Sequence, residues 1–175
     1  MRIFLWGMMG SGKSKLGKFL YQNLKKFTLF IDLDIEIEKI TNKTIKELFT
    51  SKGEEFFRFI ENQTLQKIIN NHSNFIMATG GGTPVFFDNH QLMYKTGLTI
   101  YLKAPVDLLI ERLWKERNTR PLISHFSKKI ELQKYLEKLL AQREAYYHLA
   151  HIYWEINRSK EELLEKIKIM LGSNS

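Results

Sequence analysis

Residues 7–14 read Gly7-Met8-Met9-Gly10-Ser11-Gly12-Lys13-Ser14. They follow the apolar run Ile3-Phe4-Leu5-Trp6 and precede Leu16-Gly17-Lys18-Phe19-Leu20, which has helical spacing. The pattern G-x-x-x-x-G-K-[ST] between a strand and a helix constrains the chain more than any other stretch in it. Glycines let the backbone turn successive N–H groups inward, toward phosphate oxygens. A helix opening near Gly12 adds the positive end of its dipole. Lys13 is the residue to reach β- and γ-phosphates, and the Ser14 hydroxyl is the one to hold Mg²⁺. Gly10, Ser11, Gly12, Lys13 and Ser14 are therefore candidate nucleotide contacts.

The 175 residues predict one domain, and 43% hydrophobic composition predicts a packed core. Three prolines are too few for a Pro-rich linker. The chain has no cysteine, which excludes a disulfide framework, a thiolate zinc site and a Cys nucleophile. The five histidines show no shared metal spacing with carboxylates. No apolar run approaches the roughly 20 residues that span a bilayer, so no membrane association is expected; the absence of cysteine is compatible with the cytoplasmic location expected here. The net charge of +8 admits nucleic-acid binding or an anionic small substrate. Lysines in helical stretches, without an arginine-rich arm or interleaved aromatics, weigh against nucleic acid.

Five short apolar runs predict buried strands at 3–6, 29–32, 75–79, 99–102 and 152–156. Helices are expected over 13–26, over 34–70 with breaks near Asn42 and Gly53, over 107–116 with Asp107 as a candidate cap, over 131–150 and over 160–171. Such alternation predicts a parallel sheet covered on both faces, whose ligands sit beyond the carboxyl ends of the strands.

Asp32-Leu33-Asp34 follows the second strand. Two carboxylates beside a nucleotide site can divide two tasks, holding the metal's water shell and accepting a proton from an attacking hydroxyl. Either is also a candidate helix N-cap. Gly80-Gly81-Gly82 follows the third strand and exposes bare backbone donors. Arg58, in Phe56-Phe57-Arg58-Phe59-Ile60-Glu61, either pairs with Glu61 at i+3 or offers a planar fork to a carboxylate. Arg120, before Pro121-Leu122, stands where a phosphate-transfer enzyme carries a mobile lid, with Arg112 and Arg117 as nearby alternatives. Arg143 by itself reads as a solvated helix residue.

Taken together, the loop at 7–14, Asp32-Leu33-Asp34, Phe57-Arg58-x-x-Glu61, Gly80-Gly81-Gly82, Arg120-Pro121-Leu122 and Gln142-Arg143-x-x-Tyr146-Tyr147 resemble the shikimate kinase family in order and spacing over nearly the whole chain. The resemblance implies a three-layer α/β P-loop kinase fold with a five-stranded parallel sheet in the order 2-3-1-4-5, flanked by helices. It implies one domain over 1–175, a substrate-binding region near 33–61 and a lid near 112–126. It also implies transfer of the ATP γ-phosphoryl group to the 3-hydroxyl of shikimate, on the route to chorismate and aromatic amino acids.

By the same resemblance Lys13 and Ser14 serve ATP and Mg²⁺, and Asp32 supports the metal. Asp34 binds shikimate hydroxyls and acts as base. Arg58 and Arg143 hold the carboxylate, Gly80, Gly81 and Gly82 offer backbone donors, and Arg120 comes from the lid. Arg112 is a candidate for stacking on adenine, and Arg158 lies where the family wraps that base. Lys15 stands where the family has a small hydroxyl residue, and it joins the ATP-side set. ATP and shikimate are the expected partners, and the resemblance implies a monomer. The alternatives are a gluconate-kinase type of small-molecule kinase and a catalytically silent nucleotide-binding protein.

Overall fold

The computed structural model describes residues 1–120 and 122–172. Its sheet holds β1 (Arg2–Trp6), β2 (Phe30–Asp32), β3 (Phe75–Ala78), β4 (Leu98–Lys103) and β5 (Ile152–Glu155), all parallel, in the order β2-β3-β1-β4-β5. This is the order that the resemblance implies. Helices α1 (Lys13–Asn23), α2 (Leu33–Thr41), α3 (Ile45–Asn71), α4 (Asn89–Thr96), α5 (Val106–Glu116), α6 (Lys129–Tyr147) and α7 (Lys160–Met170) cover it.

The strands bury both faces, which is why they read as unbroken apolar runs. In β1 the alternation still decides which layer each residue feeds. Ile3 and Leu5 pack with Leu20 of α1 and with Leu163 and Ile167 of α7. Phe4 and Trp6 pack with Leu65 of α3, Met93 of α4, Leu109 of α5 and Leu136 of α6. Removing a buried leucine from either layer costs about 2–5 kcal/mol, a large share of a domain's stability.

The helix boundaries have local causes. Gly12, with φ near 97°, starts α1 from the left-handed region, where a side chain is strained. Asn42 ends α2 in the same region, at φ 50°. Thr44 opens α3 with a capping box: its hydroxyl accepts from the Glu47 N–H, and its own N–H donates to Glu47 Oε2 at 2.7 Å. Gly53 breaks α3 with φ 81° and ψ 174°.

Three sequence expectations are corrected. Asp107 is not the cap of α5: Pro105 holds that position without a side-chain bond, and Asp107 sits in the first turn, where its charge meets the helix dipole. The first helix ends at Asn23, three residues early, where Leu24 leaves helical φ/ψ. Helix α4 was not anticipated, because its eight residues carry only Met93 as a fully buried apolar anchor. Asp88, which precedes it, and Phe87 adopt positive φ near 54° and 53°. No helix among the described residues is long and apolar enough to cross a membrane.

Candidate active site

The carboxyl ends of β1, β2 and β3 bring the phosphate loop, Asp32-Leu33-Asp34 and Gly80-Gly81-Gly82 to one edge of the sheet. Helix α1 has no side-chain cap and no acid in its first turn, so its N-terminal amides and dipole face the loop uncompensated. Lys13 is buried there, and its Nζ donates to the Gly7 and Met8 carbonyls at 2.9 Å each. Burial lowers its pKa from 10.5 to about 8. Asp34 and Asp32 pull it up, while Arg120 and Arg143 push it down. An ammonium so depressed binds an arriving anion strongly, because the anion restores the charge that burial disfavours.

The two aspartates sit in different surroundings. Asp32 stands at the N-cap position of α2 but makes no capping bond; its Oδ2 accepts from Ser14 Oγ at 2.5 Å. Asp34, two residues on, faces inward. Burial pushes its carboxyl up from 3.8 to about 6, and Glu61 and Asp32 push the same way against Lys13 and Arg58. A carboxylate poised near neutrality is suited to taking a proton from a hydroxyl.

Two cavities open onto this edge. The larger, of about 960 Å³, is lined by Gly10, Ser11, Gly12, Lys13, Ser14, Lys15, Asp32, Arg112 and Arg158 among others. The smaller, of about 450 Å³, is lined by Phe49, Phe57, Arg58, Glu61, Gly82 and Arg143 among others. Met9, Asp34, Gly80, Gly81 and Arg120 line both, so the two spaces meet at Asp34.

In the larger cavity Arg112 leans over the loop, with Nη1 donating to the Gly10 carbonyl at 2.9 Å. Arg158 lies over the Trp154 ring at 4.2 Å and pairs with Glu162. Arg120 is held by Glu116, Nη2 to Oε2 at 2.7 Å. The expected lid is not loose throughout: Ile123 is fully buried and packs in the core. Pro121 lies outside the described residues. Among the described residues no group of three or more His, Cys, Asp or Glu is placed to hold a metal ion. Ser14 and Asp32 supply two hard oxygen donors, which fits a cation whose remaining ligands are nucleotide oxygens and water.

In the smaller cavity Arg58 is only 4% exposed and is locked on every side. Its Nη1 donates to buried Glu61 at 2.8 Å, and its Nε and Nη2 donate to Glu54 Oε1 at 3.2 and 3.0 Å. The rings of Phe57 and Phe86 flank it at 5.0 and 4.7 Å. Burial alone lowers the Arg58 pKa, but Glu61 and Glu54 outweigh it and raise the value above the ordinary one. The pairing with Glu61 read from the sequence is therefore present, and the same guanidinium lines the cavity.

Thr83 completes this cluster, its hydroxyl donating to Glu61 Oε1 at 2.6 Å. A Cβ at Gly82 would stand 2.5 Å from Arg58 Nη2, so any side chain there displaces the guanidinium from its carboxylates.

Arg143 is not a solvated helix arginine. It is 5% exposed, and its Nη1 is buried without a hydrogen-bond partner. An orphaned guanidinium donor beside a cavity is equipped to take a carboxylate or phosphate oxygen. Glu54, Thr83 and Phe86 had no role in the sequence reading, and Tyr147 entered only as a member of the Gln142-Arg143-x-x-Tyr146-Tyr147 motif. Glu54 had a usable signal, its i,i+4 spacing to Arg58. Arg143 and Tyr147 had another, since both lie on the buried stripe Leu132, Leu136, Leu139 of α6.

Residues 9–171 match the family model described as shikimate kinase. A protein named shikimate kinase from Azobacteroides pseudotrichonymphae genomovar. CFP2 is 41% identical over 167 residues, covering 95% of this chain and 96% of its own length. A crystal structure of shikimate kinase from Bacteroides thetaiotaomicron superposes with a TM-score of 0.86 at 34% identity, covering 98% of each chain. A structure of shikimate kinase from Acinetobacter baumannii in complex with shikimate gives 0.84 at 32% identity, covering 99% of this chain and 94% of that one. The chain belongs to the shikimate kinase family.

Proposed function

We propose that this chain transfers the γ-phosphoryl group of ATP to the 3-hydroxyl of shikimate, yielding shikimate 3-phosphate and ADP for the route to chorismate and aromatic amino acids. One observation carries the reading: an anion-binding loop and a cavity with a buried guanidinium, its Nη1 without a hydrogen-bond partner, meet at one elevated carboxylate. Family membership supports it over a gluconate-type kinase, and the relative solved with shikimate names the acceptor.

In this reading the phosphate loop and the α1 N-terminus grip the triphosphate, and Lys13 leaves the Gly7 and Met8 carbonyls to meet its terminal phosphates. Lys15, Arg112 and Arg158 attend the rest of the nucleotide from the walls of the larger cavity. Ser14 would hold Mg²⁺ and Asp32 would support it through water, and the bound ion would neutralise charge on the phosphate oxygens. Arg58, Arg143 and the amides of Gly80, Gly81 and Gly82 fix the shikimate carboxylate and ring. Asp34 accepts the hydroxyl proton as the acceptor oxygen forms its bond to phosphorus and the bond to the ADP oxygen breaks. Arg120 turns from Glu116 to the transferring group as residues 112–126 close and exclude water. One chain supplies all of these groups, which supports a monomer as the working unit.

The direct test is ADP release by the purified chain with ATP and Mg²⁺, with and without shikimate. Shikimate-dependent release is expected; a folded, ATP-binding protein that shows none refutes the assignment. Arg143→Ala is expected to raise the KM for shikimate about 10- to 100-fold, the worth of a charge-assisted hydrogen bond, with the KM for ATP changed less than about twofold. Arg58→Ala is expected to weaken shikimate similarly but also to cost about 3–5 kcal/mol of stability, because it leaves the Glu61 carboxylate buried without its cation. Denaturant titration beside the kinetics separates the two variants.

A further inference from the structure

Tyr147 is the residue of the Gln142-Arg143-x-x-Tyr146-Tyr147 stretch that the proposed reaction leaves without a task. It is fully buried in the last turn of α6, one turn beyond Arg143. Its hydroxyl donates to the Gly81 carbonyl at 2.6 Å, lies 3.6 Å from Met8 Sδ in the phosphate loop and interacts with the Arg143 guanidinium. Its own carbonyl accepts the Trp6 indole N–H at 3.1 Å. One side chain thus ties the acceptor loop to a rigid helix at the point where the two cavities meet.

A run of three glycines has no side chains to anchor it and little intrinsic preference for one backbone state. Turn hydrogen bonds hold two of its carbonyls, Gly80 accepting from the Thr83 N–H at 3.2 Å and Gly82 from the Val85 N–H at 2.9 Å, and the Gly81 carbonyl between them is the one that Tyr147 holds. The peptide joining Gly81 to Gly82 is trans, so its carbonyl and its N–H point to opposite sides. Holding the carbonyl on Tyr147 therefore sends the Gly82 N–H away from the phenol. Gly82 itself lies against the Arg58 guanidinium, close enough that a Cβ would collide with it. The other side of the loop is also committed, since a Cβ at Gly81 would stand 3.1 Å from the Met9 nitrogen.

We propose that Tyr147 is a positioning residue for the acceptor: its hydroxyl orients the peptide between Gly81 and Gly82 so that the Gly82 N–H joins Arg58 and Arg143 on one carboxylate. This rests on the shikimate reading above. The phosphate side has its own anchors, Lys13 and the α1 N-terminus, and touches the phenol only through Met8 Sδ, so the larger effect falls on the acceptor.

Tyr147→Phe removes one oxygen and keeps the ring. It is expected to raise the KM and the calorimetric Kd for shikimate about 5- to 20-fold, with the KM for ATP and the Kd for ADP within about twofold of wild type. Equal losses for both ligands mark a merely structural role and overturn the proposal, as does an unchanged shikimate affinity in an active enzyme. Failure of the parent reading looks different: the wild-type chain itself then releases no ADP in response to shikimate.

Discussion

Asp34→Asn is expected to lower kcat about 10²- to 10⁴-fold and at the same time to make the ligand-free protein more stable at pH 7. The first effect is the usual worth of a positioned general base. The second follows from the same burial that tunes the group. The folded carboxyl titrates near 6 and its ordinary value is 3.8, so the folded state holds the proton more tightly than the unfolded chain does.

Stability from this group is therefore complete below about pH 3.8 and is lost as pH rises through about 6. The loss corresponds to about 3 kcal/mol, part of which the buried asparagine amide gives back. A Tm gain of about 2–6 °C at pH 7 that narrows toward pH 4 is the expected signature. In the wild type, log kcat/KM should rise with unit slope up to about pH 6, and the variant should lack that limb. A variant that loses activity and stability together would mean that Asp34 is a structural group.

Lys13→Ala is expected to lower kcat about 10²- to 10³-fold while the KM for shikimate stays within about threefold. The ammonium is aimed at charge that develops on the transferring group, and the loss of one such preorganised donor has this size. Its pKa near 8 adds a second limb. In the free enzyme the charge is lost as pH rises through about 8, so kcat/KM for ATP should decline on the alkaline side and the full profile should be bell-shaped. The alkaline decline should be weaker in kcat, because bound triphosphate holds the proton on. Rapid-quench measurement of the chemical step in Lys13→Ala distinguishes slowed transfer from slowed product release. A variant with unchanged chemistry and altered release would remove Lys13 from the transfer step.

The nucleotide half of the site was legible because its parts are contiguous. Eight residues between a strand and a helix specify loop, dipole and lysine together, and α1 begins at Lys13 as the pattern requires. The acceptor half is drawn from α2, α3, the loop after β3 and α6. From composition and spacing alone, Arg143 read as solvated and Arg58 remained open between two partners; only the match of several motifs in order gave them a task. Phe86 and Thr83 carried no signal at all, because their significance lies in what folds against them.

The amino-acid sequence by itself determined the layered parallel sheet and the place of the phosphate loop; the strand order came only through the resemblance to a family. The first two are local, written in turn residues, apolar runs and caps within a few positions of one another. Only the tertiary structure decided which charges are isolated from water and which are paired. Desolvation and hydrogen-bond closure depend on elements far apart in the chain. Asp34 near pH 6, the orphaned Nη1 of Arg143 and the grip of Tyr147 on Gly81 arise where α2, α6 and the ends of β1 and β3 come together.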